Sequence, residues 1–169
     1  MLAKRAAWPS HGGVPVGHRA NWFVYDSTID ERNAMHTVVQ MLKTYPKDLG
    51  GIDTTQLTKT IQTLAECAQA CTACADACLS EDKVADLTKC IRSNLDCADA
   101  CSATVNVLSR HTGYDANITR AFLEACATTC KACGDACARH ADMHEHCRVC
   151  ADACRACEQA CRDLLANLG

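Results

Sequence analysis

Apolar and small residues recur along most of this chain at spacings of three and four, the period of an amphipathic α-helix, and no run of β-branched residues alternates with polar ones. The pattern predicts an all-α protein. A short first helix is expected over residues 27–45. Thr28 and Glu31 have the spacing of a capping box, Met35, Val38, Val39 and Leu42 form one apolar stripe, and Tyr45-Pro46 stops it. Gly50-Gly51 breaks the chain, and Asp53 with Gln56 marks a second helix running to about Leu79. Ser80, followed by Glu81 and Asp82, is expected to open a third helix that ends near His111, where Gly113 can form the turn beyond it. Asp115 caps a fourth. Asp142 and Glu145 make another capping pair, and the cysteine register changes phase between Cys137 and Cys147, so a tight turn is expected near residues 140–142.

Four helices of roughly 24–30 residues joined by short connections must run antiparallel to their neighbours. The expected architecture is therefore an antiparallel four-helix bundle over residues 53–168, with a short additional N-terminal helix. Residues 1–26 mix Arg, His, Gly and Pro without any period. They read either as a flexible leader or as translated sequence upstream of a start near Met35.

Composition changes this picture at the core. The chain of 169 residues is the size of one domain, and its 49% apolar fraction looks ample, but Ala and Cys supply much of it. Its 16 cysteines amount to about 9%, near the level that marks a disulfide framework or a metal protein. Redox compartment separates these. The first 26 residues hold only the short apolar run Trp22-Phe23-Val24-Tyr25 and no twin arginine, so neither export signal is evident and a cytoplasmic setting with reduced thiols is expected. No apolar stretch reaches the ~20 residues of a membrane span. A formal charge of −3 without a basic cluster argues against nucleic acid.

The cysteines follow the helical period. The first bundle helix carries Cys67, Cys71, Cys74 and Cys78, spaced four, three, four, which keeps every thiol on one stripe. The third repeats this with Cys126, Cys130, Cys133 and Cys137, and the fourth extends it through Cys147, Cys150, Cys154, Cys157 and Cys161. The second has Cys90, Cys97 and Cys101 in the same phase, with Asn94 where a further Cys would fit. One plain reading makes these small buried hydrophobes, yet a core that repeatedly declines Leu would be left with voids. Disulfides meet a geometric objection, because helical neighbours stand ~5–6 Å apart at Cβ whereas a bridge needs about 3.8 Å.

Four facing stripes make a tube of thiols. Thiolates favour soft ions such as Cu(I), whereas zinc sites want a closed tetrahedron, commonly from two short loop-borne pairs. A two-coordinate ion can bridge neighbouring thiolates, and sulfurs shared across helices would let a column of Cys hold a column of ions. Buried thiolate charge is intolerable without cations, so the empty protein should hold neutral thiols. At one end of the tube Leu57, Ile61, Leu64, Leu108, Phe122, Leu164 and Leu168 form an expected apolar plug. At the other, His140, Met143 and His144 are candidate ligands at a mouth, although a histidine at a helix end often serves only as a cap. Met35, His36 and Met41 are weaker candidates, since packing of the short helix explains the methionines.

The repeated C-x-x-x-C-x-x-C-x-x-x-C stripe, complete at Cys67–Cys78 and Cys126–Cys137 and present within Cys150–Cys161, resembles the four-helix-bundle copper storage proteins of bacteria, specifically their cytosolic branch. The resemblance covers roughly residues 53–166. It implies a homotetramer, many Cu(I) ions per subunit on Cys thiolates, and entry past His and Met residues at one end. A copper chaperone is an expected partner of such a store. Asn94 in a Cys slot departs from it. An iron–sulfur protein is the first alternative, but it would want a C-x-x-C-x-x-C run near a loop, and a four-residue step interrupts every such run here. A zinc or general thiolate buffer is the second. A thiol redox enzyme would need a partly exposed, low-pKa C-x-x-C rather than mid-helix pairs, so no catalytic residue is expected.

Overall fold

The computed structural model describes residues 31–49 and 51–168, with side chains from Thr37 onward. The expected leader, the Thr28–Glu31 capping pair, Gly50 and the side chains of Met35 and His36 lie outside the described residues. Five helices follow one another: α1 (Glu31–Lys43), α2 (Thr54–Leu79), α3 (Val84–Leu108), α4 (Ala116–Ala138) and α5 (Glu145–Asn167). Helices α2 to α5 close a ring in which each packs on its two sequence or terminal neighbours, and α1 lies on α2 alone. The ring is antiparallel: Cys67 meets Cys154 while Cys78 meets Cys147, and Cys90 meets Cys137 while Cys101 meets Cys126. This is the all-α four-helix bundle with a short extra helix that the periodicity predicts.

The helix starts show which caps act. Asp53 accepts from the backbone N–H of Thr55 at 2.9 Å and of Gln56 at 3.2 Å, and Asp115 accepts from Asn117 at 2.8 Å. Each satisfies donors that the first turn leaves without partners. Gly51 and Gly113 precede these caps with φ of +81° and +63°, a left-handed turn open to glycine at no steric cost.

Two expected starts are corrected. Ser80 does not open α3; it ends α2, its hydroxyl donating back to Asp76 O at 3.3 Å, and residues 81–83 are spent in the turn before Val84. Glu81, expected in a first helical turn, is instead drawn across to His144 and His146 at the start of α5. Asp142 is not a cap either. Consecutive turns carry the chain from Arg139 to Met143, so the N-cap position of α5 falls to His144, whose side chain makes no capping bond.

The core is one column. Leu57, Ile61, Leu64, Leu108 and Leu164 are buried at the plug end, as the stripes predict. Phe122 is not in it. At 36% exposure it lies against Ala103 and Val107 at the α3–α4 edge, and Leu123, fully buried and three residues before Cys126, takes the inward place. Leu168 packs on the core from its margin, and Leu87 is a buried residue on α3 beyond Cys90. Val38 and Leu42 of α1 pack against the bundle, while Met41 faces solvent.

Candidate metal centre

All sixteen cysteines are buried and unbridged. Position follows from period: each stripe of four, three, four keeps its sulfurs on the inward face, and four facing helices bring them to a common axis. Sulfur–sulfur separations are those of contact, not of covalent bonds: 3.5 Å for Cys90–Cys137, 3.6 Å for Cys71–Cys154, Cys97–Cys130 and Cys101–Cys126, and 3.9 Å for Cys67–Cys71.

Sets of four donors within 4.8 Å of one another recur along the axis: Cys67, Cys97, Cys101 and Cys130; Cys67, Cys71, Cys97 and Cys154; Cys71, Cys133, Cys150 and Cys154; Cys101, Cys126, Cys130 and Cys157. The sets overlap. Cys67, Cys71, Cys97, Cys101, Cys130 and Cys154 each belong to two of them. A sulfur in two sets can bridge two ions, so the arrangement favours small soft cations of low coordination number over isolated tetrahedral ions that each need four private ligands. Cys161 completes the α5 stripe beside the plug.

Burial disfavours thiolate charge in the empty column. Burial pushes the Cys78 and Cys147 thiols upward, and the neighbouring Cys90 adds to the shift in both. Contact with the Cys133 and Cys150 sulfurs raises Cys71. A cation entering such a site must displace a proton.

At the end opposite the plug, His140, Met143 and His144 are brought around one cavity of about 370 Å³, with Glu81, Asp82, Lys83, Asp86 and Leu87. Met143 is 69% exposed. His144 places Nδ1 2.9 Å from Glu81 Oε1. The histidine at the thiols is His146, to which the sequence pattern assigns no role. Its Nδ1 is 3.5 Å from the sulfurs of both Cys74 and Cys147, and its Nε2 is 3.1 Å from the same Glu81 oxygen. With Nε2–H donating to the carboxylate, Nδ1 turns its lone pair to the sulfurs, an orientation suited to a metal ligand. Cys74, Cys78, Cys147 and His146 form a further four-donor set. Its signal lay in the register, because His146 stands four residues before Cys150, the spacing of the thiols themselves. Hydrogen bonds from His146, and then His144, hold the Glu81 carboxyl below the usual range. His111, also without an assigned role, is at the plug end, edge-on to Tyr45 with ring centroids 5.3 Å apart.

Comparison with known proteins adds a family. A family model described as Csp, copper storage protein, matches residues 53–166. Among solved structures, the copper storage protein Ccsp from Streptomyces lividans loaded with 10 copper equivalents is 70% identical, over 76% of this chain and 98% of that one, with a TM-score of 0.76. A second structure, of copper loading to this cytosolic copper storage protein from Streptomyces lividans with five coppers, is 72% identical over 71% of this chain and 100% of that one, with a TM-score of 0.69. No curated protein sequence matches the chain.

Proposed function

The chain belongs to the copper storage protein family, and from that premise we propose how its residues hold and admit the metal. It is a cytosolic store for Cu(I), holding many ions through cysteine thiolates in the core of the bundle and so limiting free copper. The ligands are Cys67, Cys71, Cys74, Cys78, Cys90, Cys97, Cys101, Cys126, Cys130, Cys133, Cys137, Cys147, Cys150, Cys154, Cys157 and Cys161. One observation carries this assignment: the four-sulfur sets overlap, so a single network of thiolates can bridge a row of ions. Iron–sulfur and zinc readings are not favoured.

Storage needs no turnover, and no catalytic role is assigned to any residue. The cargo exchanges with copper-carrying partners such as a chaperone, and the subunit assembles as a tetramer. Leu79, Leu95, Ile118, Phe122 and Val149 support association, being exposed apolar surface that neighbours would cover.

Anaerobic titration of reduced protein with Cu(I) against a competing chelator, with Zn(II) in parallel, tests the reading. Private pairs of thiolates would saturate at roughly eight ions, while shared sulfurs allow about sixteen or somewhat more, and the higher figure is expected. Saturation at one or two ions, or an equal preference for Zn(II), would overturn it.

Entry runs past His140, Met143 and His144 to His146, which passes ions to Cys74, Cys78 and Cys147. These groups hold each ion only in transit, so they govern rate more than capacity. Substituting Ala for all four is expected to slow uptake and chelator-driven removal while final stoichiometry stays within about two ions, because the soft-ligand set is intact. Stopped-flow loading checks this, and parent-like rates would place the entrance elsewhere.

A further inference from the structure

Glu81 stands between two histidines of the entrance. It lies in the turn after α2, where its backbone N–H donates to Cys78 O at 3.4 Å. Across the opening, at the start of α5, His144 O accepts from the backbone N–H of Cys147 at 3.0 Å. Cys78 and Cys147 belong to the four-donor set that includes His146, so the backbone holds both sides of the opening close to metal ligands. One carboxylate oxygen then joins the sides. Glu81 Oε1 lies 2.9 Å from His144 Nδ1 and 3.1 Å from His146 Nε2. The side chains of Glu81, His144 and His146 are 34%, 21% and 24% exposed, open to an arriving ion yet shielded enough to hold a fixed arrangement.

An ionised carboxylate has no hydrogen to give, so each ring nitrogen that faces it carries one. The two neutral rings are therefore held in opposite tautomers. His146, with hydrogen on Nε2, keeps its lone pair on Nδ1, the atom 3.5 Å from the sulfurs of Cys74 and Cys147. His144, which lines the mouth cavity, carries hydrogen on Nδ1 and keeps its lone pair on Nε2. That is the tautomer a free imidazole in water adopts less often, and a fixed acceptor at Nδ1 selects it. In the opposite state His146 would aim an N–H at the two sulfurs and occupy the place where copper must bind. The ring centroids are 5.4 Å apart, so the two donors succeed one another within a short step. A carboxylate behind a ligand imidazole fixes its orientation and strengthens its free nitrogen.

Building on the entry reading, we propose that Glu81 is a positioning residue for copper loading. Its single oxygen presets Nε2 of His144 and Nδ1 of His146 as successive donors, and the ion passes from the second to the thiolates of Cys74 and Cys147.

Two measurements on the full chain test this. In empty, reduced protein at about pH 8, where imidazoles are neutral, side-chain nitrogen NMR reads each tautomer directly. The parent should show His144 with hydrogen on Nδ1 and His146 with hydrogen on Nε2, and Glu81→Leu should return His144 to the Nε2–H form. Stopped-flow loading with Cu(I) should be slowed roughly tenfold in Glu81→Leu, the loss typical of removing a carboxylate behind a ligand histidine. Final stoichiometry should hold, because all sixteen thiols remain. Glu81→Gln keeps an oxygen acceptor without the charge, and it should retain the parent's tautomers and most of its rate. A Gln variant as slow as the Leu variant would assign the effect to charge and overturn positioning. So would hydrogen on Nε2 of His144 in the parent, a result that needs no variant to fold. Should the fourfold Ala variant of His140, Met143, His144 and His146 load at the parent's rate, the entry reading fails; should it load slowly while Glu81→Leu does not, the role of Glu81 alone fails.

Discussion

Cu(I)-saturated protein should melt tens of degrees above the empty form, and the empty form should already be a helical bundle. The second half follows from what holds the helices without metal. Leu57, Ile61, Leu64, Leu108, Leu123 and Leu164 bury a metal-free apolar plug, and Asp53 and Asp115 satisfy the first turns of α2 and α4. A zinc finger, by contrast, has little besides its ion to order it. The first half follows from linkage, since a ligand bound only by the native state stabilises it by about 4 kcal/mol per site at a thousandfold excess over Kd. The unfolded chain also carries sixteen thiols and binds some copper, so the sites do not simply add. A surplus of about 5–10 kcal/mol still raises Tm by roughly 10–40 °C at 2–4 °C per kcal/mol for a chain of this size. Circular dichroism melts of empty and loaded protein measure it. A random-coil spectrum without metal, or coincident melts, would contradict it.

Leu64→Ala and Leu123→Ala should each destabilise the empty protein by about 2–5 kcal/mol while leaving the rate of copper uptake near that of the parent. Both leucines are fully buried. Their loss leaves a cavity whose walls are held by four packed helices and cannot collapse freely. The penalty weighs heavily because the rest of the column is lined by cysteine, which is smaller than leucine and fills less of the core. Urea denaturation of the empty variants gives the cost, and stopped-flow loading gives the rate. A slowed uptake with unchanged stability would mean that ions pass through the plug end.

The fold was legible because one period governs nearly the whole chain. Cysteines at four, three, four fix both the helical state and the inward face, and Asp53 and Asp115 begin helices with side-chain bonds that a sequence shows directly. Boundaries failed where long-range contacts decide them. Ser80 and Glu81 look like a helix start, but the serine hydroxyl bonds backward and the carboxylate is claimed by His144 and His146 at the distant start of α5. Phe122 and Leu123 are adjacent and both fit the stripe within the width of a helical face, so only the rotation of α4 against α3 and α5 separates them. His140, Met143 and His144 stand where the stripes run out, and the structure brings them around one cavity. His146 was missed because its reach to Cys74 and Cys147 depends on how α5 begins, and that start was itself placed wrongly at Asp142.

The four, three, four spacing on an antiparallel ring also makes the column modular. Each stripe repeats every seven residues, so one more heptad in all four helices would lengthen the axis by about 10 Å and add two inward positions per helix. The plug and the mouth would stay as they are, at opposite ends. The apolar layer at one end confers stability, while the cysteine layers are interchangeable units whose number is free to vary. In such a molecule capacity is a length, adjustable by duplication of a short helical segment without redesign of any single binding geometry.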